Sequence, residues 1–324
     1  MNARFWLTAM CITFCATPAV ADSNAQFPDK LVRLIAPTAP GSAPDIVSRM
    51  LAESLGRQWH HQVIVENRPG GNGIVGMNTL TREPADGYTL GMFHAAAAVT
   101  TPFLYQAAKF DIERDTEVVA TLGYTPMMLV TKPDSPYRSI NDLVKAATNG
   151  EQSDLVIGSP TRGSIPSLSI YLLGLQSKRN FRQVSFSGTS QALQALMVGD
   201  ISVYVDGVAP LVPLVQSGKL RAIALSASEP LPGFESVPQI KDSIPGVVTS
   251  GWFSIFAPKG TPAPVLDRIH SSINKTLTDP KFVESLAGLG IFPMALSRTD
   301  AQQFIRNEKT MWGKVIKHAN IKAE

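Results

Sequence analysis

The chain has two cysteines in 324 residues, Cys11 and Cys15, and both fall inside an apolar run near the N-terminus. The rest of the protein has no thiol, which excludes disulfides, thiolate metal sites and cysteine nucleophiles there. Charge of one sign is missing too. Lys and Arg number 29 against 26 Asp and Glu, a formal charge of +3. No basic cluster interleaves with aromatics, so a nucleic-acid footprint is absent. No apolar stretch reaches the roughly 20 residues that a bilayer span requires. The five histidines, His60, His61, His94, His270 and His318, show no H-E-x-x-H or similar ligand spacing. There is no G-x-S-x-G elbow, no fixed-period repeat and no low-complexity tract. A metal centre, a cofactor and a hydrolase site are not expected.

What is present begins with a secretion signal. Arg4 precedes the apolar run Phe5 to Ala16, and Pro18-Ala19-Val20-Ala21-Asp22 follows. A short basic region, a short apolar region and an Ala-x-Ala site form a signal peptide, here residues 1–21, cleaved after Ala21. Lipidation would need a small residue directly before a cysteine, and Met10 and Phe14 stand there instead. With 44% apolar and 17% charged residues, the remainder is globular. Its length suits about two domains.

The hydrophobic pattern alternates between short apolar runs and amphipathic segments. Strands are expected at 31–36, 63–65, 88–93, 118–122, 128–130, 155–157, 184–186, 202–205, 220–225 and 252–256. Helices are expected at 45–58, 140–147 behind a Ser139 cap, 164–175, 191–198, 264–277, 281–289 and 300–319. Such alternation argues for an α/β fold with mainly parallel sheets covered by helices. Ligands in such folds sit beyond the carboxyl ends of the strands, so the strand-to-helix turns carry the search.

Gly71-Asn72-Gly73-Ile74-Val75-Gly76 fits G-x-G-x-x-G, but Glu66-Asn67-Arg68-Pro69-Gly70 separates it from the preceding strand. The later acid, Asp86, lies in a turn, so a dinucleotide site is not supported. The glycines there read as devices for a tight turn and close packing. The turn Pro37 to Asp45 is more informative. Helix starts leave backbone N–H groups unpaired and favour negative charge. Gly41 permits close approach, and Ser42 adds a hydroxyl. Asp45 either supports the helix start or meets a ligand amine or water. The turn Gly158 to Ser164 repeats the theme with Arg162, which either clamps a carboxylate or is an exposed loop arginine.

In this order these turns resemble the substrate-binding proteins of tripartite tricarboxylate transporters, the Bug receptors. The resemblance rests on Phe27-Pro28-Asp29-Lys30, Ala39-Pro40-Gly41 with Asp45-Ile46-Val47, Val65-Glu66-Asn67-Arg68-Pro69-Gly70 and Ala85-Asp86-Gly87-Tyr88-Thr89-Leu90. Gly218-Lys219-Leu220-Arg221-Ala222, Trp252-Phe253, Ala257-Pro258-Lys259-Gly260-Thr261-Pro262, Trp312-Gly313-Lys314-Val315 and the tail Ile321-Lys322-Ala323-Glu324 extend it along the chain. The resemblance implies a type II periplasmic-binding-protein fold with two lobes and a hinge. It implies a monomeric, non-enzymatic periplasmic receptor that hands a small organic acid to membrane permease subunits. A ligand-dependent partner of a membrane sensor, and an enzyme on the same scaffold, are the alternatives. Lobe one is expected at 22–123 plus 228–324 and lobe two at 124–227.

By the same resemblance the ligand carboxylate is held by the first and fourth turns, here Pro40, Gly41, Ser42 and Asp45, then Ser159, Gly163 and Ser164. A third turn contributes His94 and Ala95. Arg162, Phe186 and Asp206 complete the candidate set. Several of these positions depart from the family. His94-Ala95-Ala96-Ala97-Ala98 replaces small polar residues, Ser167 stands for a common histidine, Arg162 for asparagine or glycine, and Phe186 for tyrosine. The alanine run and Arg162 suggest a carboxylate with an apolar or aromatic body.

Overall fold

A strand buried on both faces needs apolar residues throughout, and Val32-Arg33-Leu34-Ile35-Ala36 meets this at every position but one. Arg33 is accommodated because Glu66 and Glu83 neutralise it, at 2.7 and 3.0 Å. In the computed structural model, which describes residues 27–147 and 154–321, this run is strand β1 (Val32–Ala36). The secretion signal expected at 1–21 and the last three residues of the tail lie outside the described residues.

β1 pairs in parallel with β2 (Val63–Asn67) and β3 (Thr89–His94). β3 is followed by β9 (Ser250–Pro258) and β4 (Thr116–Thr131), both antiparallel. A second sheet starts from the far end of the same β4. It pairs there with β7 (Val203–Gly207) on one side and β8 (Arg221–Ser226) on the other. β5 (Val156–Ser159) joins β7 and β6 (Arg182–Ser185) in parallel. Each sheet therefore has a parallel part, β2-β1-β3 in one and β6-β5-β7 in the other, and β4 pairs antiparallel with its neighbours in both.

β4 differs from the two separate strands expected at 118–122 and 128–130. The intervening Gly123-Tyr124-Thr125-Pro126 reads as a break in sequence, yet the strand continues for 16 residues. Pro126 stands where β4 changes partners. It ends the ladder to β9, and Met127 begins the ladder to β7 and β8. A missing N–H is tolerable at such a junction, and the Pro126 carbonyl still accepts from Val208 N–H at 3.1 Å.

Helices α1 (Ala43–Trp59) and α10 (Ala263–Leu277) cover the first sheet, burying Leu51, Leu55, Ile269 and Ile273 against Leu34 and Leu90. Helix α7 (Thr189–Val198) buries Leu196 against Tyr204 and Leu225 on the second sheet. A third core runs from one sheet to the other. It joins Phe93 and Phe256 to Ile157 and to Leu168 and Leu173 of α6 (Ile165–Ser177). The last helix, α12 (Arg298–His318), contributes Trp312 and Val315 to that shared core. Lys309 of α12 also pairs with Asp111 at 2.7 Å and Glu113 at 3.0 Å. α12 thus straps both sheets together. The Ser139 cap forms as expected, its Oγ accepting from Asp142 N–H at 3.2 Å. Among the described residues no helix is long and apolar enough to cross a membrane.

Trp312 is fully buried, and its indole N–H donates to Glu308 at 3.1 Å. Trp312→Ala is expected to lower unfolding free energy by about 3–5 kcal/mol, measured by urea denaturation. A loss under about 1 kcal/mol would show that the strap adds little to stability.

Candidate functional site

The first and fourth strand-to-helix turns have different sequences and one conformation. Gly41 and Gly163 take φ of 80° and 77°, a left-handed region that strains any residue with a Cβ. Ser42 and Ser164 follow as N-caps with extended backbone, φ/ψ −73/158° and −69/161°. Ser42 N–H donates to Ala39 O at 3.3 Å, and Ser164 N–H to Thr161 O at 3.0 Å. Pro44 and Pro166 then occupy the first helical turn, where an absent N–H costs nothing. One such turn opens α1 on the first sheet and the other opens α6 on the second.

A cleft of about 520 Å³ lies between them. Pro44 reaches it from the α1 start, and Arg162, Ser164, Ile165 and Pro166 from the α6 start. His94, Ala95 and Ala96 come from the end of β3, and Asp206 and Gly207 from the end of β7. Of the residues singled out in sequence, the cleft therefore brings together His94, Ala95, Arg162, Ser164 and Asp206. A hollow of about 580 Å³ lies elsewhere, on the outer flank of α6 and α12 beside Lys178, Arg179 and His318. None of the candidate residues lines it.

The other candidates do not line this cleft. Asp45 is 2% exposed, and its carboxylate is fully engaged. It accepts from Gly41 N–H at 2.9 Å, Arg49 Nε at 3.0 Å and Asn67 Nδ2 at 2.7 Å. Burial pushes its pKa up, but these donors outweigh burial and hold the carboxyl below its usual range. Asp45 pins the turn and takes the Gly41 amide away from any ligand. Pro40, Gly41 and Ser42 sit outside the cleft lining. Ser159 is buried among Ser185 Oγ at 3.3 Å and Gln183 Nε2 at 3.1 Å. Gly163 is packed so tightly that an added Cβ would lie 2.7 Å from Leu104 of the segment after β3. Phe186 packs against Gly158, not against the cleft.

Sequence reasoning missed the floor. Thr125 of β4 lies between Gly207 of β7 and Gly251 of β9, where a Cβ would approach Thr125 to 3.1 and 2.8 Å. The two glycines leave the space open. Trp252, Phe253 and Tyr105 supply aromatic walls, and Asn72 arrives from the glycine-rich segment after β2. Those glycines serve packing, as read from sequence: a Cβ on Gly73 would lie 2.5 Å from Ala97 Cβ. Trp252 is fully buried, and its indole N–H donates to Glu308 Oε2 at 2.9 Å. Burial pushes the Glu308 pKa up, partly offset by the two indole donors.

His94 heads a π-helical turn, Ala96–Thr100, a feature frequent at functional sites. Burial holds its pKa at about 4. Ala97 N–H donates to Nδ1 at 3.3 Å, so the neutral ring carries its proton on Nε2 and is a donor there. Arg162 and Asp206 are then the charged side chains lining the cleft.

Comparison with known proteins bears on this geometry. The sequence profile described as the tripartite tricarboxylate transporter family receptor, TctC, matches residues 47–321. The chain belongs to the TctC family. Among its relatives is BugT of Bordetella pertussis, 27% identical over 320 residues, covering 98% of both chains. Among solved structures, the Rhodopseudomonas palustris protein MatC with bound malate is 25% identical, with a TM-score of 0.71. It covers 90% of this chain and all of its own. R. palustris Rpa4515 with adipate is 26% identical, with a TM-score of 0.74, covering 91% and 99%. The two-lobed periplasmic-binding fold is therefore that of the TctC receptors.

The folded His94 ring titrates near 4, against 6.5 when free. The unfolded chain binds the extra proton between these values, so stability is complete above pH 6.5 and declines as pH falls toward 4. His94→Gln is expected to flatten this decline in thermal unfolding of the ligand-free protein. Equal acid limbs for both proteins would mean the ring is solvated.

Proposed function

We propose that the protein is a periplasmic solute receptor that captures a small carboxylate between two lobes and delivers it to a tripartite tricarboxylate-type permease. The observation that carries this reading is the pair of matching turns on either side of one cleft, with Arg162, Ser164 and Ile165 at the α6 start lining it. Helix starts attract anions through unpaired N–H groups and the helix dipole. A solute touching both sides favours the closed arrangement, and a partner can read that change. Adipate and malate in the two similar R. palustris structures support the carboxylate class. The aromatic walls and alanines favour a ligand with an apolar or aromatic body. We take the lobes as 22–123 plus 228–324 and 124–227, with export to the periplasm and cleavage after Ala21.

The mature chain, freed of copurified ligand, is to be screened by thermal shift against mono-, di- and tricarboxylates, aromatic acids and acidic amino acids. A ligand at 100 times its Kd should stabilise by roughly 2.7 kcal/mol. Stabilisation by uncharged solutes alone would overturn the carboxylate reading. For the best acid, Arg162→Ala is expected to weaken binding about tenfold in calorimetry. Unchanged affinity would remove the guanidinium from the site.

A further inference from the structure

The cleft contains an acid that a receptor for anions does not obviously need. Asp206 ends β7 and lines the cleft. It is held in one orientation: Tyr204 Oη and Thr189 Oγ1 donate to Oδ2 at 2.6 and 2.7 Å, and Gly207 N–H donates to Oδ1 at 2.8 Å. Two hydroxyls fill Oδ2, while Oδ1 keeps acceptor capacity after its single N–H. Among the described residues no Lys, Arg or His forms an ion pair with it. Its companions on the wall offer donors: His94 through Nε2–H, Arg162 through its guanidinium, and the hydroxyls of Thr125 and Ser164. Asp206 is thus the one carboxylate on a wall otherwise rich in donors.

That asymmetry constrains the ligand. One carboxylate on the ligand is placed to meet Arg162 and the α6 start. A second carboxylate in the same cleft would meet Asp206, a like charge with little water to screen it. A hydroxyl or ammonium would instead complete the Asp206 coordination. Tyr105, Trp252 and Phe253 line the space and suit a flat or extended apolar spacer. Resting on the carboxylate reading above, we propose that Asp206 is a specificity residue. It selects acids that carry one carboxylate and, at the far end of an apolar or aromatic spacer, a hydrogen-bond donor, and it rejects dicarboxylates of the same length.

The test is calorimetry on the mature full chain, freed of copurified ligand, with two matched series. One is benzoate, para-hydroxybenzoate, para-aminobenzoate and terephthalate. The other is hexanoate, ω-hydroxyhexanoate, ω-aminohexanoate and adipate. In at least one series the donor-bearing acids should bind at least about tenfold tighter than both the unsubstituted acid and the dicarboxylate. Asp206→Asn should erase that preference, so that within the variant the donor-bearing acids bind within about threefold of the unsubstituted acid. If in neither series the donor-bearing acids outbind both the unsubstituted acid and the dicarboxylate in wild type, the proposal is overturned without any variant. An Asp206→Asn protein that keeps the wild-type ranking overturns it too. Failure of every acid, with uncharged esters or amides binding, overturns the carboxylate reading and this inference with it. A dicarboxylate preference alone leaves the carboxylate reading standing.

Discussion

Everything in the architecture depends on one strand belonging to two sheets. β4 gives its first part to β9 and its last five residues to β7 and β8. Because the hydrogen-bond ladder passes from one sheet to the next without a loop, the sheets are fixed in relative order. The carboxyl ends of β1, β3, β5 and β7 then surround a common space. The cleft floor is that same strand at Thr125, flanked by glycines. A binding site placed there is contacted from both lobes by construction.

The two turns that face each other across this space show how one conformation serves different side chains. The left-handed glycine, the serine cap and the first-turn proline are shared. What differs is the support. On the first sheet the Asp45 carboxylate gathers Gly41, Arg49 and Asn67 into a stiff unit. On the second, Ser164 Oγ accepts from Ser167 N–H at 3.4 Å, and Gln183 holds Ser167 Oγ at 2.6 Å. A charged, fully bonded turn therefore faces a neutral one that carries Arg162.

Most of the fold was legible because its signals are local. Buried strands such as Val32–Ala36 and the helices after Ser139, Ser164 and Pro262 are announced by residues within one or two turns of them. The single-strand nature of β4 was not legible, since Gly and Pro signal a break and only pairing with distant β9, β7 and β8 overrides it. The site divided in the same way. His94, Arg162, Ser164 and Asp206, named from sequence, line the cleft, and they lie at or just beyond strand ends. Thr125, Gly207, Gly251 and Trp252 were not found, because a floor is made by cross-strand neighbours up to more than a hundred residues apart. Asp45 illustrates the opposite limit: two roles fit its place in the sequence, and only the positions of Arg49 and Asn67 choose between them. The π-helical turn over the alanine run left no trace in composition, since alanine suits any helical geometry.

The Glu308 carboxylate takes hydrogen bonds from two tryptophans through the same oxygen, at 2.9 Å from Trp252 and 3.1 Å from Trp312. One indole lines the cleft; the other lies in the helix that laces the two sheets together. One carboxylate therefore joins the layer behind the cleft to the helix that holds the sheets together.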